Sequence, residues 1–291
     1  SIIRRGNTQN KSTANPTATP PPHNPLPTPR SPELPLTGPI PRHWFGNNIL
    51  ATHLVNGVSM LFPAGERFFV RSVKHYLDQI DDPHLRAQVK GFFGQEGRHA
   101  KEHDRWNEVL SSQGFSVAQF LSLYERLAYG VVERISSPGL RLATTAACEH
   151  YTALLAEKAL RNRILDHSDP TMRALLLWHA AEEIEHRAVA FDVLQTVRPS
   201  YALRMAGLMM ATACLGSFWI AASLLLLWQD PATSLRTLRV NLGQIRTIRK
   251  KSGVHAAFIP GILAYLRRDF HPTQLALDQL AADYLLTAQL T

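Results

Sequence analysis

Two glutamate–histidine pairs stand three residues apart in apolar, helix-forming stretches: Glu96/His99 in "QEGRHAKEH" and Glu183/His186 in "WHAAEEIEHRAVAFDV". At about 100° per residue each pair shares one helix face; His103 extends the first face and His179 the second, each within an arc of roughly 60°, while Glu185 points elsewhere. Each pair follows a glutamate in an earlier apolar segment. Glu66 in "LFPAGERFFV" lies 30 residues before Glu96, and Glu149 in "TTAACEHYTALL" lies 34 before Glu183. Charged and polar groups at such positions are costly to bury unless something satisfies them, and a metal ion would do so. The duplication suits a dinuclear site, in which each ion takes a carboxylate and an imidazole from one Glu-x-x-His helix while the other two glutamates complete the shells or bridge.

The expected ligands are therefore Glu66, Glu96, His99, Glu149, Glu183 and His186. His179 and His103 stay open among three roles: a further ligand, a hydrogen-bond partner of a ligand, or a satisfied core histidine. One Glu-x-x-His pair is common on helix surfaces. Two, each with an upstream glutamate, point to a metal centre, and Glu149 in particular has small or apolar flanks on both sides. Mixed carboxylate and imidazole ligation suits two iron ions, with manganese or zinc as alternatives, and the lack of thiolates argues against a structural zinc site.

The elements that must carry these residues read as helices. Helix-period segments run over about 47–80, 84–112, 116–135, 139–166 and 171–197, separated by Asp82-Pro83, Gly114, Ser137-Pro138-Gly139 and Asp169-Pro170. No segment alternates with a β period, so the expected fold is all-α, with a helical bundle over 38–200 that carries the donors. Proline crowds residues 1–37, from Pro16 to Pro35, which predicts an extended or disordered arm laid over a neighbour. Residues 201–291 are expected to form a hydrophobic and basic helical extension.

Within that extension, residues 205–228 hold 24 positions without a charge, long enough to cross a bilayer. Gly207, Gly216 and the many alanines favour instead a buried, homodimer-forming or membrane-surface helix. The stretch Val254 to Leu266 is broken by Pro260-Gly261 and is too short to span. The chain of 291 residues has 45% hydrophobic content and a net charge of +8, so one domain with extensions is expected. Basic residues gather at Arg236, Arg239, Arg246, Arg249, Lys250 and Lys251, which reads as a solvated face or a peripheral contact with an anionic membrane. No nucleic-acid-binding signature accompanies them. Cys148 and Cys214 cannot make a disulfide framework and no cleavable signal peptide is visible, so a cytoplasmic location is the expectation.

The donor pattern resembles the ferritin-like di-iron carboxylate proteins, which implies a ferritin-like four-helix bundle with a dinuclear metal centre over 38–200. More closely, "RHWFGNNILATHLVNGVSMLFPAGERFFV", "QEGRHAKEHDRWN", "WHAAEEIEHRAVAFDV" and "YLRRDFHP" resemble the bacterial family labelled "predicted metal-dependent hydrolase", over about residues 40–272. The order His179, Glu183, His186 is also similar to the His-x-x-x-Glu-x-x-His helix of the di-iron arylamine N-oxygenases, a resemblance limited to those three positions. The ligand set resembles oxygen-activating enzymes, so the leading expectation is a non-heme di-iron oxygenase that uses O2 to hydroxylate or N-oxygenate a small, aromatic substrate. No Rossmann fingerprint, P-loop or flavin site is evident, so an external electron donor would serve it. Arg67, Arg98 and Arg187 adjoin ligands and would either orient a substrate carboxylate or, as is commoner beside a buried ligand, pair with a neighbouring acid. Two alternatives stand beside this: a hydrolase that activates water on the metals, and an iron-storage or scavenging protein.

Overall fold

In the computed structural model the described residues are 26–252 and 255–290, with side chains described except at 248–258. Most of the Pro-rich arm, residues 1–25, and the side chains of Arg249, Lys250 and Lys251 lie outside them. Residues 26–48 are non-helical; from Ile49 on the described residues are mostly helical, joined by short turns, and an isolated bridge links Phe45 and Ser168. Helices α1 (Ile49–Lys74), α2 (Pro83–Ser112), α3 (Val117–Leu127), α4 (Glu133–Ile135), α5 (Pro138–Arg161), α6 (Pro170–His186) and α7 (Val189–Val197) make the first part. After them come α8 (Tyr201–Gln229), α9 (Leu235–Ser252), α10 (His255–Tyr265) and α11 (Asp278–Thr287).

Polar residues set the helix starts. Asn48, Asp82, Ser137, Asp169 and Ser200 each accept a backbone N–H of the first turn, and Pro83, Pro138 and Pro170 occupy positions where no N–H is needed. The four central helices are α1, α2, α5 and α6: α1 packs on α2 and α5, and α6 packs on α5 and α2. Apolar side chains fill both ends of this bundle. One core holds Phe69, Val73, Phe92, Leu142 and Phe191, the other Trp44, Met60, Trp106, Leu110 and Trp178. On α1, Glu66 falls between Met60 and Phe69; on α2, Glu96, His99 and His103 fall between Phe92 and Trp106. The polar layer is thus closed off above and below by apolar packing.

Several helices differ from their expected extents, for reasons that lie in tertiary contacts. The segment 116–135 is interrupted by a π-helical turn, Ala128–Val132. The helix expected over 171–197 breaks after His186, where the Arg187 guanidinium takes the Ile184 carbonyl at 2.6 Å and reaches the Pro272 carbonyl and the Asp278 carboxylate. No proline or glycine marks that break. Helix α5 ends at Arg161 rather than 166, because Arg163 turns into the left-handed region, φ 51°, and α1 ends at Lys74 rather than 80.

Residues 26–37 of the arm are ordered against the bundle. Pro27 and Pro29 lie on α2 where Gly91 and Gly94 leave room: a Cβ at Gly91 would stand 2.1 Å from the Pro27 carbonyl oxygen, and one at Gly94 2.5 Å from Pro29 Cγ. Arg30 then reaches α6, donating to both oxygens of Glu185 at 2.7 and 2.9 Å and to Glu182 at 3.3 Å.

Helix α8 lies across α1 and α5. Close approach fixes it there: a Cβ at Gly207 would meet the Ala143 backbone of α5 at 2.4 Å, and one at Gly57 of α1 would meet Ser223 Oγ at 2.3 Å. Its most apolar 18-residue window is only 28% buried, and by length and composition it is apolar enough to cross a membrane. At its end Asp230 accepts from His53 Nε2 at 2.7 Å, His43 Nε2 at 2.8 Å and the Ala232 N–H at 2.9 Å, with Arg42 Nε 3.4 Å away. This buried latch joins the start of α1 to the end of α8.

Candidate metal centre

All eight residues singled out for metal chemistry are buried in the layer between the two cores: Glu66, Glu96, His99, His103, Glu149, His179, Glu183 and His186. Their donor atoms gather in two groups. Glu66, His99, His179 and Glu183 place one donor each within 4.8 Å of one another, and so do Glu96, Glu183 and His186. Glu149 joins the second group, with Oε2 3.2 Å from His186 Nε2. Glu183 belongs to both. Its Oε1 stands 2.7 Å from His179 Nε2 and 3.7 Å from His99 Nδ1, while its Oε2 faces His186 Nε2 at 3.5 Å.

The Glu183/His186 pair of α6 stays together in the second group, whereas the Glu96/His99 pair of α2 is divided between the two. Glu96 Oε1 lies 3.0 Å from Nε2 of His186, and His99 turns toward Glu183. His179 enters the first group. His103 does not: its Nε2 is bonded to His179 Nδ1 and its Nδ1 to Ser59 Oγ, both at 2.7 Å, which uses both ring nitrogens.

Each histidine that points into the layer has its other nitrogen occupied, which fixes ring orientation and leaves one lone pair inward. His99 Nε2 donates to Glu182 at 3.0 Å, His186 Nδ1 donates to the Gln95 amide oxygen at 2.8 Å, and His179 Nδ1 is held by His103. Glu182 and Gln95 were not among the expected residues. Glu182 sits about 60° from His179 around the helix axis, so a slightly wider arc on α6 would have included it. Gln95 Nε2 in turn donates to Glu185 at 2.7 Å, which ties that residue, and through it Arg30 of the arm, to the centre's surroundings. The three arginines proposed to face a substrate do not. Arg67 pairs with Asp104, Arg98 with Ser31, and Arg187 with Asp278.

His179 Nε2 and Glu183 Oε1 are hydrogen-bonded to each other at 2.7 Å; the other inward atoms have no hydrogen-bond partner among the described residues: both oxygens of Glu66, Glu96 and Glu149, Oε2 of Glu183, Nδ1 of His99 and Nε2 of His186. The contacts of His186 Nε2 with three carboxylates at 3.0–3.5 Å are close, but none is aligned as a hydrogen bond. So many orphaned acceptors in a dry layer are unfavourable without a cation. Electrostatics agree. Burial first, then neighbouring carboxylates, raise Glu66 and Glu96 well above the usual carboxylate range, and burial lifts Glu149 to about 7. Burial opposes charge on His186, yet Glu149 and Glu183 outweigh it and hold that imidazole well above its usual range; burial lowers His99, which stays neutral. A bound cation would take the place of the protons that His186 and the raised carboxyls otherwise keep: with the imidazoles neutral and all four glutamates ionised, the set balances two divalent ions, so the residues present fit a dinuclear centre.

A sequence model of the family described as "predicted metal-dependent hydrolase" matches residues 28–276. The match begins within the ordered part of the arm, just before Arg30. Among curated proteins and among solved structures none matches the chain. The family corrects the leading expectation for the activity. Its hydrolytic description stands against a non-heme di-iron oxygenase or other oxidoreductase and favours the hydrolase. The donor types alone did not separate these chemistries, because carboxylate–imidazole pairs serve redox and Lewis-acid metals alike.

Proposed function

The chain belongs to the family of predicted metal-dependent hydrolases, and from that premise we propose a dinuclear hydrolase centred between α1, α2, α5 and α6. Glu66, His99, His179 and Glu183 would hold one divalent ion, Glu96, Glu149, Glu183 and His186 the other, with Glu183 bridging. The observation that carries this reading is the set of buried donor atoms, most of them without a hydrogen-bond partner, that converge on two points and share Glu183. The donor set suits manganese, iron or zinc. Bound there, such ions supply a Lewis acid for a carbonyl or phosphoryl oxygen and a hydroxide at neutral pH.

The protein's own groups define the rest. Glu66, His179 and Glu183 are the members of the centre that reach the walls of two adjoining clefts, so the substrate meets the centre from that side. Glu182, Gln95 and His103 keep the three imidazoles in the tautomer that leaves their inward nitrogens unprotonated. In the overall reaction the oxygen of water bonds to the electrophilic carbon or phosphorus, the bond to the leaving oxygen or nitrogen breaks, and the leaving group departs with a proton. The row His179–His103–Ser59 offers linked sites where a proton can be held.

The test is to strip the protein with chelator, reload it with Mn(II), Fe(II) or Zn(II), count metal per chain and assay carboxylic and phosphoric esters with and without oxygen. Two ions per chain and turnover without O2 are expected. Turnover that needs O2 and a reductant, or an unaltered metal count in Glu183→Ala, would overturn the assignment.

A further inference from the structure

The clefts beside the centre carry information about the substrate. One, between α1, α3, α5 and α8, encloses about 890 Å³ including its open mouth and has Glu66 in its wall. The other encloses about 710 Å³, extends toward Ile164 and Leu165, and has His179 and Glu183 in its wall. Val58, Phe62, Thr152 and Leu155 line both, so the two meet at the centre. Along α5 the lining positions Arg141, Thr144, Cys148, Thr152, Leu155 and Ala159 recur every three or four residues. At 1.5 Å per residue they trace a path of roughly 27 Å.

That path is apolar nearly throughout. Even its threonines are turned inward on the helix: Thr144 Oγ1 donates to the Leu140 carbonyl and Thr152 Oγ1 to the Glu149 carbonyl. Apolar walls of this length select a long hydrocarbon over a compact polar molecule, since affinity grows with each methylene removed from water. The exception stands at the mouth. Among the described residues Arg141 is the one arginine or lysine in the lining of either cleft; its Nε donates to the Ser136 carbonyl, and no described carboxylate is paired with it. Glu133, at the same mouth, is engaged by Arg71 at 2.7 and 3.1 Å. A half-buried guanidinium at one end of an apolar path complements an anionic head group.

We propose that the substrate is an anionic amphiphile, an acyl ester or amide whose charged group rests at Arg141, whose carbonyl lies where the clefts meet, and whose chain fills the second cleft. This rests on the hydrolase reading of the centre. Hydrolysis then joins the oxygen of water to the acyl carbon, breaks the acyl C–O or C–N bond, and sends the proton out on the leaving alcohol or amine. No oxidant or reductant is consumed.

The experiment uses unreactive probes, n-alkyl phosphates of six to fourteen carbons, titrated calorimetrically below their micelle concentrations into the metal-loaded protein. Affinity is expected to rise by about fourfold per added methylene up to a limiting length. Ala159→Phe and Leu155→Trp should shorten that limit with metal content unchanged. Arg141→Gln should weaken alkyl phosphates about tenfold while leaving alkyl alcohols of equal length unaffected. Affinity independent of chain length, or unchanged in all three variants, would overturn the proposal. Two outcomes separate it from the reading on which it rests. Two ions and hydrolysis of short esters with no chain-length preference would sink only the amphiphile. Chain-length-dependent binding in a protein that takes up no metal would sink the hydrolase and keep the binding site.

Discussion

Glu96 Oε1 lies 3.0 Å from Nε2 of His186 on the facing helix, although its sequence partner His99 is only one turn away. His99 instead turns Nδ1 toward Glu183. Each half of the centre is therefore built from both Glu-x-x-His helices, and Glu183 is common to the two.

This crossed arrangement makes the two glutamates unequal. Glu183→Ala removes a donor from both groups, and metal per chain should fall from two to near zero. Glu96→Ala takes a donor from the second group alone, so about one ion should remain. Metal analysis after dialysis against a weak chelator decides it. Equal loss in the two variants would contradict the bridge.

Residues one bond further out should tune affinity without abolishing it. Glu182→Gln and His103→Ala loosen the imidazoles of His99 and His179, and each is expected to weaken metal binding by about ten- to a hundredfold. Glu185 reaches the centre indirectly, through Gln95 and through Arg30 and Glu182. Glu185→Ala should keep both ions and instead loosen the arm by releasing Arg30. Competition with a fluorescent chelator gives the first result, and proteolysis near residue 30 the second.

How much of this was legible in the sequence follows from how each feature is encoded. The donors on each helix were visible because residues three, four and seven apart share a face, and the helix starts because Asp-Pro and Ser-Pro announce them. The break after His186 was not, since a guanidinium from the helix itself and residues some 85 to 91 positions later produce it. Nor was the crossing of Glu96 to His186, because spacing places a donor on a face but does not choose its partner across the bundle. His179 could be resolved from His103 only once Ser59 and the His103 ring were seen bonded. The ordering of residues 26–37 depends on Gly91 and Gly94, which in sequence read only as weak points in a helix.

The latch at Asp230 predicts an acid dependence. Burial opposes charge on Asp230, but His53, the Ala232 N–H and His43 outweigh it and hold the group far below its usual range. Burial likewise lowers His53, against the pull of Asp230. For a folded-state pKa below the unfolded one, the contribution is full above the unfolded value and is lost as pH falls. Stability should therefore decline from about pH 6.5 through His53 and again below about pH 4 through Asp230. Asp230→Asn should cost about 2 kcal/mol near neutrality and flatten the lower limb. Urea midpoints between pH 2.5 and 7 give both numbers; parallel curves would mean that Asp230 is not the titrating group.

The outer face of α8 carries the last prediction. Met209, Ile220, Leu224 and Trp228 are 60–82% exposed along roughly 29 Å of one helix, while the opposite side lines a cleft through Leu215 and Phe218. Exposed Leu235 and Val240 on α9 continue the apolar surface, and Arg236, Arg239 and Arg246 stand exposed beside them. An apolar helix face flanked by arginines matches an anionic bilayer surface, where each arginine contributes about 1 kcal/mol and high salt removes it. The protein is expected to float with vesicles rich in phosphatidylglycerol, to float less with neutral ones, and to be released as salt approaches about 1 M. Replacing Ile220, Leu224 and Trp228 by serine should abolish flotation with helix content and metal binding intact. If the protein ignores vesicles and elutes as a dimer that the same substitutions split, this face is a contact between two copies of the chain.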